Sequence, residues 1–187
     1  MNLSRFSTRR RTAFALIGAL LTALSMSQVM AQDAPKVKFS TTAGDFVVEL
    51  YPDKAHKTVE NFLQSVKDKH YDGTIFPRVI DNFMVQGGDP TGTGRSGPGY
   101  RVEDEFKNNP LKHETGVWSM ANAGPGTNGS QFFIVYDDSP LPPNYSVWAK
   151  VTSGLDKVKK VAANGTVDGT PDGAPKTPVT INTITVK

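Results

Sequence analysis

Residues 76–89 read FPRVIDNFMVQGGD, and residues 119–134 read SMANAGPGTNGSQFFI. Each block sets a few polar side chains with fixed hydrogen-bond geometry among large apolar ones. The polar side chains are Arg78, Gln86, Asn122 and Gln131, and the apolar ones are Phe83, Met84 and Phe133. A mostly apolar pocket with a few convergent polar groups grips and orients a small hydrophobic ligand group. The two blocks therefore predict one shared binding site.

The two blocks resemble the core of the cyclophilin family of peptidyl-prolyl isomerases. The resemblance extends from about Val37 to the C-terminus and is densest between Ile75 and Val151. It implies a mainly β fold, namely a closed eight-stranded antiparallel barrel capped by two α-helices. It also implies an enzyme that interconverts the cis and trans forms of X–Pro bonds in proline-containing, unfolded or partly folded polypeptides.

The resemblance assigns Arg78 as the catalytic residue. On a strand, Phe76, Arg78 and Ile80 would share one face, and an arginine between two apolar residues is poorly placed for simple solvation. Asn122 lies between two alanines, which let a peptide backbone approach, and its amide can donate and accept. The implied substrate-binding residues are Phe83, Met84, Gln86, Ala121, Asn122, Ala123, Gln131, Phe133, Leu141 and Tyr145. No metal or other cofactor is expected.

The segment 139–145 departs from the family pattern, in which many members carry a tryptophan, then a leucine, and later a histidine. Counting back from Lys150 puts Pro140 at the tryptophan position and Tyr145 at the histidine position. Counting forward from Phe133 puts Leu141 at the tryptophan position instead. The departure leaves one alternative function open, a proline-binding receptor or chaperone with little turnover, although the intact Arg78 argues against it.

Residues 92–97 read GTGRSG and match the nucleotide-binding pattern G-x-G-x-x-G by letter. That pattern works only where a strand precedes it and a helix follows, so that a phosphate meets the helix N-terminus. Here Pro90 and Pro98 flank the glycines and no helical run follows. We therefore expect a surface loop near the pocket and no nucleotide binding.

Residues 1–31 have the order of a secretory signal. Arginines at positions 5 and 9–11 precede an apolar run from Ala13 to Leu24, and small residues end the segment at Ala31. The run is shorter than the ~18 residues of a spanning helix. We expect a signal peptide over 1–31, an isomerase domain over 32–187, and a periplasmic protein. An uncleaved anchor and a mitochondrial transit peptide are the alternatives. Arg9–Arg11 would also allow twin-arginine export, although the general route is favoured.

Charge and cysteine content exclude several functions. The formal net charge is +3, but loss of the four arginines in residues 1–31 would change it to −1, so nucleic-acid binding is not indicated. The chain has no cysteine, which excludes disulfides, thiolate chemistry and cysteine-ligated zinc. We expect a monomer without stable membrane association after signal cleavage.

Hydrophobic periodicity predicts a β-hairpin, two helices and several further strands. The predicted strands cover 37–41, 45–50, 74–80, 117–121, 131–136, 147–151 and 179–186, and the helices cover 53–68 and 155–162. His56, His70 and His113 are scattered and predicted to be surface residues without a shared site. The acidic run from Glu103 to Glu105 is interpreted as solvated or as a loop clamp rather than as a general acid/base pair.

Overall fold

The computed structural model describes residues 34–187, which carry nine β-strands and two α-helices. The strands are β1 (Lys36–Thr41), β2 (Phe46–Leu50), β3 (Arg78–Ile80), β4 (Met84–Gly87), β5 (Val117–Met120), β6 (Phe132–Val135), β7 (Val147–Ser153), β8 (Asp172–Gly173) and β9 (Ile181–Val186). The helices are α1 (His56–Lys67) and α2 (Leu155–Ala162). The signal peptide predicted for residues 1–31 lies outside the described residues.

The strands form one antiparallel sheet in the order β8-β3-β4-β6-β5-β7-β2-β1-β9. The expected closed, eight-stranded barrel is therefore wrong: the sheet is an open half-barrel of nine strands. Pro77 explains part of the difference, because it has no N–H to donate and interrupts the strand predicted for 74–80. Ahead of Pro77, Ile75 forms only an isolated bridge with Thr180. The ninth strand, β8, is only two residues long and had no sequence signal.

Three neighbouring strands at the centre of the sheet are buried on both faces. Every residue of β4, β5 and β6 is buried. Because successive side chains on a strand point to opposite faces, Val85, Phe132 and Ile134 enter the main core, whereas Met84 and Phe133 enter a second cluster. We call this second group the pocket cluster. It comprises Met84, Phe133 and Val135, with Ile80, Phe83, Ala121, Leu141 and Tyr145 packed against them.

Aromatic rings fill the main core between the sheet and the helices. Trp118 stacks on Phe132 with ring centroids 4.5 Å apart, and Phe62 of α1 lies 4.7 Å from Trp148. Packing of this kind holds β5, β6 and β7 in place against α1. The strands that carry the pocket cluster are therefore supported from behind by a rigid aromatic layer.

The helix α1 obtains its N-terminal cap from a distant loop. Ala55 occupies the N-cap position and provides no side-chain hydrogen bond. The Glu105 carboxylate instead accepts hydrogen bonds from the backbone N–H groups of Lys57 (3.1 Å) and Thr58 (2.9 Å). An acidic side chain there satisfies free helical N–H groups and complements the helix dipole.

Candidate active site

The sheet register aligns three of the predicted site residues in one row. Arg78 on β3 faces Gln86 on β4, and Gln86 in turn faces Phe133 on β6. The first two side chains are in contact, since Arg78 Nη1 donates to Gln86 Oε1 at 3.3 Å. The two sequence blocks quoted at the outset are thus joined directly through the β4–β6 ladder.

The guanidinium of Arg78 is held mainly by Asp172 on β8. Arg78 Nε donates to Asp172 Oδ1 at 2.7 Å, and Arg78 Nη2 donates to Asp172 Oδ2 at 2.6 Å. These hydrogen bonds raise the pKa of Arg78 and lower the pKa of Asp172, so both groups stay charged at neutral pH. Sequence reasoning did not find Asp172, which lies 94 positions from Arg78.

The face on which Arg78 lies differs from the prediction. Phe76, Arg78 and Ile80 are expected to share one face, but Ile80 packs against the pocket cluster and Phe76 is buried in the main core together with Val79. The interruption at Pro77 breaks the strand alternation, so Phe76 does not share a face with Arg78. Of the two apolar residues expected on the face of Arg78, only Ile80 lies at the pocket cluster.

The pocket cluster forms an apolar wall beside Arg78. Phe133 is central, with Phe83 at 6.1 Å and Tyr145 at 5.4 Å between ring centroids, both in edge-on geometry. Leu141 also packs against this cluster. Within the departing segment 139–145, Leu141 and Tyr145 thus supply the pocket contacts, whereas Pro140 is not part of the cluster.

A chain of amides links the arginine to the glycine-rich loop. Gln86 Nε2 donates to Gln131 Oε1 at 2.7 Å, and Gln131 Nε2 donates to the carbonyl of Ser96 at 2.6 Å. The loop that resembled a nucleotide-binding motif therefore lies beside the pocket, as predicted, and supports Gln131.

The buried carboxylate of Asp89 organises that loop. It accepts hydrogen bonds from the backbone N–H groups of Thr91, Thr93, Arg95 and Ser96, at 2.8–3.3 Å. Burial alone would raise the pKa of Asp89, but these hydrogen bonds outweigh it and lower the pKa to about 2. The N–H groups that a phosphate would need are occupied by this carboxylate, which agrees with the exclusion of nucleotide binding.

The segment around Asn122 offers a free stretch of backbone. The Asn122 side chain is engaged within the chain: its Nδ2 donates to the carbonyl of Asn144 at 3.0 Å, and its Oδ1 accepts from Gly124 N–H. Among residues 34–187, the backbone N–H and C=O of Asn122 have no partner. Ala121 and the exposed Ala123 flank this position. The backbone of Asn122, rather than its side chain, is thus available to an extended peptide.

The acidic run 103–105 is a loop clamp, one of the two interpretations given above. Glu103 pairs with Lys57, and Glu105 caps α1. Asp104 accepts hydrogen bonds from Gly126 N–H and from Asn128 Nδ2, both at 2.8 Å. Asp104 thereby holds the loop that follows Asn122.

The prediction of a surface position is wrong for His113. Its ring stacks on Phe133 at 5.8 Å and 14°, and it meets Tyr145 edge-on. Only 7% of the residue is exposed, and burial lowers the pKa of His113, so the ring is neutral at physiological pH. The His113 ring lies behind the pocket cluster. The only sequence feature that indicated its burial is its position shortly before a predicted strand.

Within residues 34–187, no three histidine or acidic side chains are grouped closely enough to hold a metal ion. The same part of the chain contains no helix with the length and apolar character needed to cross a bilayer.

Comparison with known proteins gives one consistent family. Residues 36–186 match the family model for cyclophilin type peptidyl-prolyl cis-trans isomerase/CLD. Peptidyl-prolyl cis-trans isomerase B of Bacillus subtilis is 46% identical over 137 residues, which are 73% of this chain and 89% of that protein. Peptidyl-prolyl cis-trans isomerase-like 1 of Gibberella zeae is 48% identical over 130 residues, covering 67% and 80% of the two chains.

The solved structures agree. The crystal structure of a Cryptosporidium parvum cyclophilin type peptidyl-prolyl cis-trans isomerase matches with a TM-score of 0.76 at 33% identity. The match covers 82% of this chain and 98% of that one. The chain therefore belongs to the cyclophilin-type family and is a peptidyl-prolyl cis-trans isomerase.

Proposed function

We propose that this isomerase is an exported bacterial protein that assists the folding of other exported proteins, with Arg78 as its catalytic residue. It acts as a monomer on proline-containing, unfolded or partly folded polypeptides and needs no metal or other cofactor. The observation that carries the catalytic assignment is the position of the Arg78 guanidinium, which is charged, held by Asp172 and Gln86, and adjacent to the apolar pocket cluster.

The reaction has a high barrier and a small driving force. Rotation about a peptide C–N bond costs ~18–20 kcal/mol because amide resonance is lost, and uncatalysed X–Pro exchange takes about tens to hundreds of seconds. A group that stabilises the twisted bond more than the planar one lowers this barrier.

Arg78 has the donors for this task. A guanidinium carries five N–H groups, and the contacts to Asp172 and Gln86 use three of them among residues 34–187. The remaining two, on Nη1 and Nη2, are available to the prolyl nitrogen. That nitrogen accepts a hydrogen bond only when the bond twists and its lone pair localises. A ten-thousandfold acceleration would need about 5.5 kcal/mol.

Two further features support substrate binding. The pocket cluster provides an apolar site for the proline ring, with Phe83, Met84, Phe133, Leu141 and Tyr145 as its walls. The unpaired backbone N–H and C=O of Asn122 can pair with the backbone of the residue before proline, as an added strand would. Gln86 and Gln131, which are hydrogen-bonded to each other beside Arg78, also belong to the predicted set.

Export is supported by the order of residues 1–31, with arginines first, an apolar run next and small residues before Ala31. The expected destination is the periplasm of a cell with two membranes. The absence of cysteine from the chain suits such a compartment, because folding then does not depend on its redox state.

The test is an X–Pro isomerisation assay on peptides with the mature protein, its Arg78→Ala variant and a Lys159→Ala control. Lys159 is an exposed residue of α2 and belongs neither to the pocket cluster nor to the hydrogen bonds of Arg78, so the control removes a positive charge without altering these contacts. We expect Arg78→Ala alone to lose most of kcat/KM, and we expect EDTA to have no effect. Full activity of Arg78→Ala would refute its catalytic role, and activity that EDTA abolishes and a metal restores would refute the metal-free mechanism.

A further inference from the structure

The ion pair between Arg78 and Asp172 has a geometry that restricts the guanidinium to one orientation. Asp172 engages Nε and Nη2, which lie on one edge of the guanidinium plane, while Gln86 contacts Nη1. A bidentate pair of this kind fixes the plane as well as the position of the group. The two N–H groups left over therefore have a defined direction.

Asp172 reaches Arg78 because β8 pairs with β3. Asp172 faces Ile80 in the register, so its side chain lies diagonally opposite Arg78 on the same face. The backbone N–H of Asp81 donates to the carbonyl of Pro171 at 2.7 Å and extends this pairing. The strand β8 has only two residues and adds few hydrogen bonds to the sheet, but its pairing with β3 fixes the position of the Asp172 carboxylate.

The loop that carries β8 is itself braced. Val167 N–H donates to the carbonyl of Ala174 at 2.8 Å, and Lys176 N–H donates to that of Gly165 at 2.9 Å. Thr170 Oγ1 donates to the carbonyl of Asp172 at 2.9 Å. The segment 164–177, which we call the β8 loop, is therefore a closed hairpin-like structure that presents Asp172 from a fixed frame.

Exposure separates a positioning role from a structural one. The side chains of Arg78 and Asp172 are 44% and 48% exposed. Ion pairs with this exposure contribute little to fold stability, because solvent screens the two charges. The fold does not depend on this contact, whereas the direction of the guanidinium does.

We propose that Asp172 is a positioning residue for Arg78, which makes the β8 loop part of the catalytic apparatus. This inference rests on the proposed catalytic role of Arg78. Asp172 does not touch substrate; it directs the free N–H groups of Arg78 toward the prolyl nitrogen. Its removal lowers kcat and leaves KM nearly unchanged, because the ground-state substrate is held by the pocket cluster and the Asn122 backbone.

The test compares Asp172→Asn, Asp172→Glu and an Asp81→Asn control. Asparagine keeps the shape but places an NH2 group against a guanidinium N–H, so one hydrogen bond is lost. Glutamate restores the charge with a longer side chain. The Asp81 side chain is exposed and makes no hydrogen bond or ion pair among residues 34–187, so its variant removes the same charge nearby without touching Arg78.

We expect Asp172→Asn to lower kcat by about tenfold or more, since small misplacements of a catalytic group are costly. Asp172→Glu recovers part of the loss, and Asp81→Asn changes kcat less than twofold. Thermal midpoints stay the same for all three. In NMR spectra, the Arg78 Nε–H resonance is protected from solvent exchange in the wild type and in Asp81→Asn, and it loses protection in Asp172→Asn.

The outcomes distinguish the two proposals. If Arg78→Ala retains turnover, the catalytic assignment fails whatever Asp172 does. If Arg78→Ala loses turnover while Asp172→Asn keeps kcat within twofold of the wild type, the positioning role alone is refuted. An increase of kcat in Asp172→Asn also refutes it, because the ion pair would then restrain the enzyme. In an Arg78→Ala background, Asp172→Asn has no further effect on kcat if Asp172 acts through Arg78.

Discussion

Thr58 and Glu105 are joined twice at the start of α1: the carboxylate of Glu105 accepts the Thr58 backbone N–H at 2.9 Å and the Thr58 hydroxyl at 2.7 Å. Glu105 therefore caps a helix from 47 positions away. Since Ala55 provides no cap, this contact connects the loop 103–105 to the aromatic layer of the core.

Replacement of Glu105 by alanine is expected to destabilise the fold by about 1–2 kcal/mol, because helix capping and the dipole interaction are both lost. Urea unfolding measures the change. The control is Glu60→Ala, an exposed acidic residue on the same helix. Equal midpoints for the two variants would show that Glu105 is not a functional cap.

Alanine substitutions at Phe133 and Arg78 should affect fold stability and turnover differently. Phe133→Ala removes the centre of the pocket cluster and should cost about 3–5 kcal/mol of unfolding free energy together with substrate binding. Arg78→Ala loses turnover with a stability change below about 1 kcal/mol. Thermal unfolding and kcat/KM, both measured for each variant, test this prediction. A large loss of stability in Arg78→Ala would contradict it.

Asp104 should tune the affinity for substrate rather than the rate. Asp104→Asn weakens the hold on Gly126 and Asn128, so the loop after Asn122 becomes less ordered. A hydrogen bond to a charged group is worth about 1.5–3 kcal/mol, so KM should rise by up to about tenfold if part of this loss is felt in binding. Initial rates measured over a range of peptide concentrations give KM and kcat separately, and kcat should not change. A fall in kcat with unchanged KM would assign Asp104 to the catalytic step instead.

Protonation of the Asp89 carboxylate at low pH should make the glycine-rich loop less ordered. Its pKa of about 2 in the folded protein lies below the value of 3.8 expected without these contacts. The stabilisation is therefore fully present above about pH 4 and is lost as the pH falls toward about 2. Amide hydrogen exchange at Thr93, Arg95 and Ser96 reports on this transition. Protection that persists unchanged at about pH 1, where the carboxyl is mostly protonated, would show that the carboxylate does not organise the loop.

Export should leave Gln32, or its cyclised form, as the first residue of the mature protein. The prediction follows from the small residues that end at Ala31 and from the apolar run that precedes them. Mass spectrometry of the protein isolated from its native cell identifies the N-terminus, and fractionation gives the compartment. An intact N-terminus in the membrane fraction would indicate an uncleaved anchor.

The parts of the site that the sequence could predict are those with local signals. Arg78 and Phe133 lie in short segments with a distinctive order of polar and apolar residues, and the hairpin, α1 and α2 follow from periodicity. The strand β4 is absent from the strands that periodicity predicts. It is four residues long, buried on both faces, and shows no alternation.

The contacts made by carboxylates were not predictable, because each joins segments that are distant in the chain. Asp172 is separated from Arg78 by most of the domain, and a single sequence contains no information on that pairing. Asp104 and Glu105 are adjacent, yet one holds the loop after Asn122 and the other caps α1. Only the folded arrangement assigns them separate tasks.

The pairing of β1 with β9 has a consequence for the order of synthesis. Val37 faces Val186, so the first strand of the domain has to wait for the last one to leave the ribosome. At about 5–20 residues per second, roughly 7–30 seconds pass between the two. During that interval one edge of β1 has no partner, and the sheet cannot be completed. If the chain is exported as we propose, a translocation channel would have that interval in which to engage it before the sheet is complete.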